Sequence, residues 1–254
     1  MTVFSILSPS DLMLAVLIAF LAGCVKGMVG FAMPMVLVSG LSMILPPELA
    51  VAGLILPTLV TNGVQALREG IGAAYASIKR FRVFLSVGLL FLLAGAQLVT
   101  RVPPSTFLLL IGVPVSIFAL LQVLGVALTL KAPSTRIEAT IGAIAGFVGG
   151  MSGVWGPPTV AYLTALNTPK QEQLRVQGVI YGLGAVALVI AHVGSGILNP
   201  QTAPFSALLV IPAMVGLWLG MRFQDRIDQA SFRKVTLLVL LVAGLNLLRR
   251  GLIG

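Results

Sequence analysis

Lys26 is the residue in this sequence with the clearest chemistry to perform. It stands about 15 residues into an apolar run that begins near Leu12, and an ammonium at the centre of a membrane-spanning helix costs at least ~2.5 kcal/mol. A cation kept at that cost points to an anion, bound directly or through a neighbouring group. The plainer alternative is a lysine whose stem lies on apolar surface while its head reaches the interface. The surrounding stretch, residues 23–36, contains Gly23, Gly27, Gly30, Phe31, Met33 and Pro34, and it recurs at 146–159. At a constant offset of 123 residues Gly23 falls on Gly146, Gly27 on Gly150, Met28 on Met151, Gly30 on Gly153, Pro34 on Pro157 and Pro46 on Pro169. Lys26 falls on Gly149, so a site built from both copies is asymmetric.

Three glycines and a proline interrupt each apolar segment at the same place. A helix that restarts after such a break presents amides without intrahelical acceptors and the positive end of its dipole, which together suit an anion. Restarts are expected near Ala32 to Met35 and near Gly156 to Thr159, with Gly30, Met33, Ser152, Gly153 and Gly156 close to the anion and Phe31 and Trp155 walling it. Simple close packing of helices through small residues is the rival explanation of the glycines.

Further polar groups fall at helical spacing. Thr58, Asn62 and Gln65 lie at i, i+4 and i+7 on one face, and Gln173, Gln177 and Tyr181 at i, i+4 and i+8 on another. Asn62, Gln65, Gln177 and Tyr181 are candidate donors to anion oxygens, although such side chains also bond helix to helix. Arg175 is expected near headgroups. His192, the only histidine, could couple protons, but a histidine at a helix end is more often structural. Covalent catalysis needs a nucleophile with a base, or a metal cluster; one His, one Cys and seven acidic residues at run ends or loops offer neither. No P-loop is present. No enzyme activity, metal or cofactor is expected.

These residues are positioned by a membrane protein. A chain of 254 residues that is 58% hydrophobic, with a mean hydropathy of +1.08, has too much apolar surface for a soluble core. Its apolar runs, some of 20 residues and more, exclude an outer-membrane barrel, whose strands alternate. The formal charge of +9 sits in short clusters between runs, which is topology information and no sign of nucleic acid. The first ten residues lack the marks of a signal peptide, so the run from Leu12 is expected to be retained. Cys24 is alone and cannot form an intramolecular disulfide.

The runs near 12–45 and 137–166 are too long for one straight span, whereas those near 48–67, 83–100, 105–130, 172–192, 205–221 and 235–248 each suffice for one. If both long runs cross once, eight basic residues face the cytoplasm and seven face outward. If both fold back as hairpins the division is twelve against three, with Arg101, Arg249 and Arg250 outside, which fits the positive-inside rule far better. The fold expected is therefore an all-α polytopic membrane protein of two inverted-topology repeats, each a broken hairpin (or broken helix) plus three transmembrane helices. Residues 1–131 form the first repeat and 132–254 the second, within one membrane domain. Inverted repeats suit alternating access, with a site near the midplane.

The twice-occurring Gly-x-x-x-Gly-x-x-Gly followed by small residues and a proline, in a two-halved chain of this length, resembles the TauE/SafE family of sulfite exporters and related anion permeases. The resemblance covers essentially the whole chain, although Phe31-Ala32-Met33 and Val154-Trp155-Gly156 are bulkier than the family's usual glycine-rich continuation. It implies a secondary transporter of a small sulfur-containing anion such as sulfite, sulfoacetate or another organosulfonate, in the bacterial inner membrane. A passive anion channel is the alternative. The lipid bilayer is the other partner expected, with a proton or sodium as candidate coupling ion and a homodimer as candidate assembly.

Overall fold

The apolar runs form helices whose ends fall where prolines and glycines stand. The computed structural model describes residues 7–98, 104–126, 129–130, 134–152 and 155–253, and among these every regular element is a helix. Helix α1 (Pro9–Val29) starts on Ser8, whose hydroxyl accepts the Asp11 amide at 3.1 Å, with Pro9 at its first position. It stops at Gly30, where φ is +85°. Helix α2 (Met33–Leu41) follows at once and turns back along α1, since a side chain built on Gly40 would lie 2.7 Å from Ile18 Cγ2. The first long run is thus a hairpin. The second behaves likewise: α7 (Thr135–Ser152) and α8 (Gly156–Ala165) line one cavity, with Ile137, Ile141 and Ile144 facing Pro158, Ala161 and Ala165.

Three apolar helices follow each hairpin. They are α3 (Pro47–Leu67), α5 (Arg82–Leu98) and α6 (Pro104–Val123) in the first half, and α9 (Lys170–Gly194), α10 (Ala203–Arg226) and α11 (Gln229–Ile253) in the second. The offset of 123 survives in the helix boundaries: Met33 and Gly156 begin α2 and α8, and Pro47 and Lys170 begin α3 and α9. Between α3 and α5 the chain forms a further short helix, α4 (Ile71–Arg80), where only a basic loop is expected. Ile71, Ala74 and Ile78 recur on one face of it and Lys79 and Arg80 close its last turn, a pattern too short to register as an apolar run. The segment 222–234 is also mostly helical, as α10 continues to Arg226 and α11 starts at Gln229.

Five of these helices are long and apolar enough to cross a membrane, and parts of α5 and α6 form shorter apolar segments. Large apolar side chains such as Met13, Leu17, Leu90, Ile190, Ile211 and Val242 are exposed along them, as lipid-facing positions are. The chain is a polytopic, all-helical membrane protein.

Its helices divide into two compact units, and each unit mixes the sequence halves. The first comprises Met1–Ala74 with Leu174–Asp228, the second Tyr75–Gln173 with Gln229–Gly254. In the first unit α1 packs most extensively on α10, from the other half. Gly23 and Gly27 lie so close to α10 that side chains there would meet the Ala213 carbonyl carbon at 2.9 Å and Gly220 Cα at 2.8 Å. Gly216 and Gly220 answer from the α10 side, which makes a small-residue helix crossing. On its other face α1 presents Ala15, Ala19 and Ala22 to Met33, Leu37 and Leu41 of α2, all fully buried.

The second unit repeats the exchange with the offset elements. Here α7 packs on α5, and Gly146, the counterpart of Gly23, leaves room only for Gly88, whose Cα would lie 2.8 Å from an added side chain. Close packing therefore accounts for Gly23, Gly27 and Gly146. The buried Glu138 of α7 accepts the Phe84 amide at 3.0 Å, capping the first turn of α5 from a neighbouring helix.

Candidate functional site

The break between α1 and α2 collects most of the polar residues expected at a site. After Gly30 the chain passes through Phe31 to Ala32, which has φ of +71°, a left-handed conformation unusual for a residue with a side chain. Ala32 caps α2 without a side-chain hydrogen bond, and Pro34 follows in its first turn. The first amides of α2 are thus uncapped by any side chain.

Two glutamines hold this break. Gln65 of α3 donates through Nε2 to the Gly30 carbonyl at 3.2 Å and to the Leu174 carbonyl at 2.6 Å. The amide of Gln177 on α9 faces the carbonyls of Val29 and Gly30 at 3.1 and 3.2 Å, an environment of acceptors that sets its NH₂ group toward them as donor to both. Both side chains are buried. The last carbonyls of α1 are satisfied in this way by side chains from α3 and α9, which lets the helix end inside the protein. Gln65 and Gln177, expected as donors to anion oxygens, here donate to the backbone.

Lys26 lies one turn before the break and is 1% exposed, so it does not reach the surface. Its ammonium donates to the side-chain oxygen of Asn62, itself buried. Among the described residues no carboxylate lies within ion-pair distance of it. The ammonium has three donors, and Asn62 takes one. Thr58, one turn before Asn62 on α3, is buried with its hydroxyl unpartnered, as is Gln65 Oε1. Thr61 donates to the Pro57 carbonyl at 2.6 Å and touches Met33 Sδ at 3.3 Å, anchoring the first residue of α2 to α3. Phe31 and Met33 are fully enclosed, and Tyr181 is buried on α9 next to Gly182, which approaches Asn62.

The depth of this group differs from the midplane position expected. Gln65 belongs to the last turn of α3 and Arg68 caps it, and Leu174 and Gln177 lie within the first eight residues of α9, so the break lies toward one end of these helices. The reason is the length of α1, whose 21 residues extend about 31 Å before Gly30 ends it.

The second break has other contents. Gly153 lies outside the described residues, and Ser152 is the last residue of α7. Trp155 caps α8, which begins at Gly156, and its indole lies against Gly149, where an added side chain would meet Cε3 at 2.6 Å. Gly149 is the counterpart of Lys26 and Trp155 that of Ala32. At these offset positions the first hairpin carries Lys26 and Ala32, and the second carries Gly149 and Trp155. Trp155 is thus a packing residue on α7, and the second unit has no cation at this place.

Arg68 is expected from the sequence only as a cytoplasmic charge. It extends the spacing of Asn62 and Gln65 by one more turn of α3 and, with Lys26, Gln65 and Leu174, lines a cavity of about 10 Å³, room for about one water.

A buried cation thus stands one turn before a helix break, inside an all-helical bundle with lipid-facing sides. The chain belongs to the Sulfite exporter TauE/SafE family, which it matches over residues 15–247, nearly its whole length. That is a family of membrane transporters, not of enzymes. No curated protein and no solved structure matches the chain.

Proposed function

We propose that the protein is a secondary transporter that moves a small sulfur-containing anion, such as sulfite, sulfoacetate or another organosulfonate, across the bacterial inner membrane by alternating access. One observation carries the reading: Lys26 is a fully enclosed ammonium with one neutral hydrogen-bond partner and no carboxylate beside it. Charge buried without a counter-charge is destabilising unless an anion supplies it. The uncapped start of α2 adds the positive end of a helix dipole at the same break. Asn62, whose oxygen faces Lys26, has an NH₂ group to offer the anion, while Gln65 and Gln177 keep the break in shape.

The cavity beside Lys26 holds about one water and cannot hold a sulfonate. An anion reaches Lys26 only if helices part, which favours a gated carrier over a permanently open channel. Two inverted repeats fit that gating, and three ion pairs support their topology. Arg68 pairs with Asp225, Arg175 with Glu69 and Arg80 with Glu172. Each pair joins segments that the hairpin topology places together on the cytoplasmic face and that single crossings would place on opposite faces.

The test is binding and transport with purified protein. Lys26→Met keeps the bulk and removes the charge; it is expected to insert and purify normally while losing at least tenfold in affinity for sulfite, the scale of one charge-assisted hydrogen bond. Unchanged affinity would remove Lys26 from the site. In proteoliposomes a carrier accumulates labelled sulfite against its gradient when the coupling ion is supplied, and a channel only equilibrates it.

A further inference from the structure

The cavity beside Lys26 has a second cation on its lining, and that cation already holds a carboxylate. Arg68 stands at the C-terminal end of α3, two turns beyond Asn62, with its side chain one-third exposed. Its Nη2 donates to both oxygens of Asp225 at 2.8 and 2.6 Å, and its Nη1 donates to Gln224 Oε1 at 3.2 Å. Asp225 lies in the last turn of α10 and is half exposed. Part of the cavity wall is the crossing of α1 and α10 at Gly27, Leu217 and Met221, where the two backbones touch. Among the residues lining the cavity Arg68 is the most exposed, so the mouth, once the helices part, is the side that Arg68 closes.

We infer that Arg68 is the entry residue for the transported anion and that Asp225 is a built-in competitor, occupying the guanidinium until substrate displaces it. The inference rests on the reading of Lys26 as the anion's final partner. A guanidinium presents parallel N–H donors that fit a carboxylate, and a sulfite or sulfonate offers the same spacing of anionic oxygens. The exchange keeps Arg68 paired throughout, so no charge is stranded at the mouth. An ion pair exposed on both sides holds weakly, because water screens it and two side chains must be ordered to form it. It is thus cheap to open, and the freed Arg68 is continuous with Lys26 through the cavity they share.

This assignment separates two variants that a structural ion pair would treat alike. If Arg68–Asp225 only braces α3 against α10, Arg68→Gln and Asp225→Asn break the same bond and change transport in the same direction. If Arg68 receives the anion, Asp225→Asn removes the competitor while Arg68→Gln removes the receptor. The initial rate of labelled sulfite uptake into proteoliposomes, at sulfite well below saturation and low ionic strength, is then expected to rise in Asp225→Asn and fall in Arg68→Gln. Each change is about tenfold, the low end of electrostatic steering, and shrinks as salt is added. Arg68→Lys, which keeps the charge and loses the fork, falls between wild type and Arg68→Gln. Rates that move together, or do not move, in variants that elute and melt like wild type overturn the proposal. If either glutamine or asparagine variant fails to fold, Arg68→Lys decides: a wild-type rate with wild-type salt dependence overturns it. Equilibrium sulfite binding by Lys26→Met, measured alongside, reports separately on the central site; retained binding there refutes that site whatever Arg68 does, and a wild type that takes up neither sulfite nor sulfoacetate refutes both.

Discussion

Gly30→Ala places one methyl group where the site is held together. At φ of +85° any residue with a β-carbon is strained by about 1–2 kcal/mol. The new atom would also overlap the Gln177 amide, approach Leu174 Cδ2 at 2.6 Å and reach 3.0 Å from Gln65 Nε2. Both glutamines must then give up bonds to the Val29 and Gly30 carbonyls, and each buried polar group left unpaired costs about 1–3 kcal/mol. The substitution is expected to cost about 3–8 kcal/mol, seen as a lower melting temperature in detergent together with loss of sulfite binding. Gly63→Ala is the internal control, since an added methyl at Gly63, one residue from Asn62, meets nothing within 4 Å. In a helix interior that exchange is favourable by about 0.5–1 kcal/mol, so Gly63→Ala should bind as wild type does and melt no lower. A Gly30→Ala protein that matches wild type in melting and binding would refute the assignment of Gln65 and Gln177 as the clamps of the break.

The topology is checked by labelling. In a Cys24→Ala background a cysteine at position 228 is expected to react with membrane-impermeant reagents only from the cytoplasmic side; labelling from outside would separate Asp225 from Arg68 and overturn the hairpin arrangement. Trp155→Ala should lower thermal stability by about 1–3 kcal/mol, the scale of removing a large, partly buried side chain, yet leave sulfite affinity at Lys26 within about twofold; a large affinity loss at unchanged stability would make the indole part of the binding site.

Much of the architecture was legible because it depends on backbone punctuation. Glycine and proline mark the breaks directly, and the repeat offset of 123 carried from residue identities into the starting residues of α2, α8, α3 and α9. The short helix α4 was hidden because a short amphipathic helix makes no apolar run. At the site, the positions of Lys26, Asn62, Gln65 and Gln177 were recoverable from helical spacing and from the rarity of buried charge. Their roles were not. A glutamine amide satisfies a substrate oxygen or a helix-end carbonyl with the same chemistry, and only the location of Gly30 against Gln65 decides which. Trp155 shows a related limit, since its large side chain has meaning only beside Gly149, a contact across the break. Arg68 was set aside as a topology charge, although its spacing from Asn62 and Gln65 continues their face of α3.

The exchange of helices between sequence halves sets an order of events during synthesis. Helix α1 leaves the ribosome first, yet its glycine stripe fits α10, which begins at Ala203, more than 170 residues after α1 ends. Until then α1 must wait in the bilayer without its main packing partner, with α2, α3 and, late in synthesis, α9 beside it. The second hairpin faces no such delay, because its partner α5 precedes it in the chain. The nascent protein therefore carries the glycine face of α1 unpacked for most of its translation, and the first hairpin is where an insertion chaperone has the longest time to act.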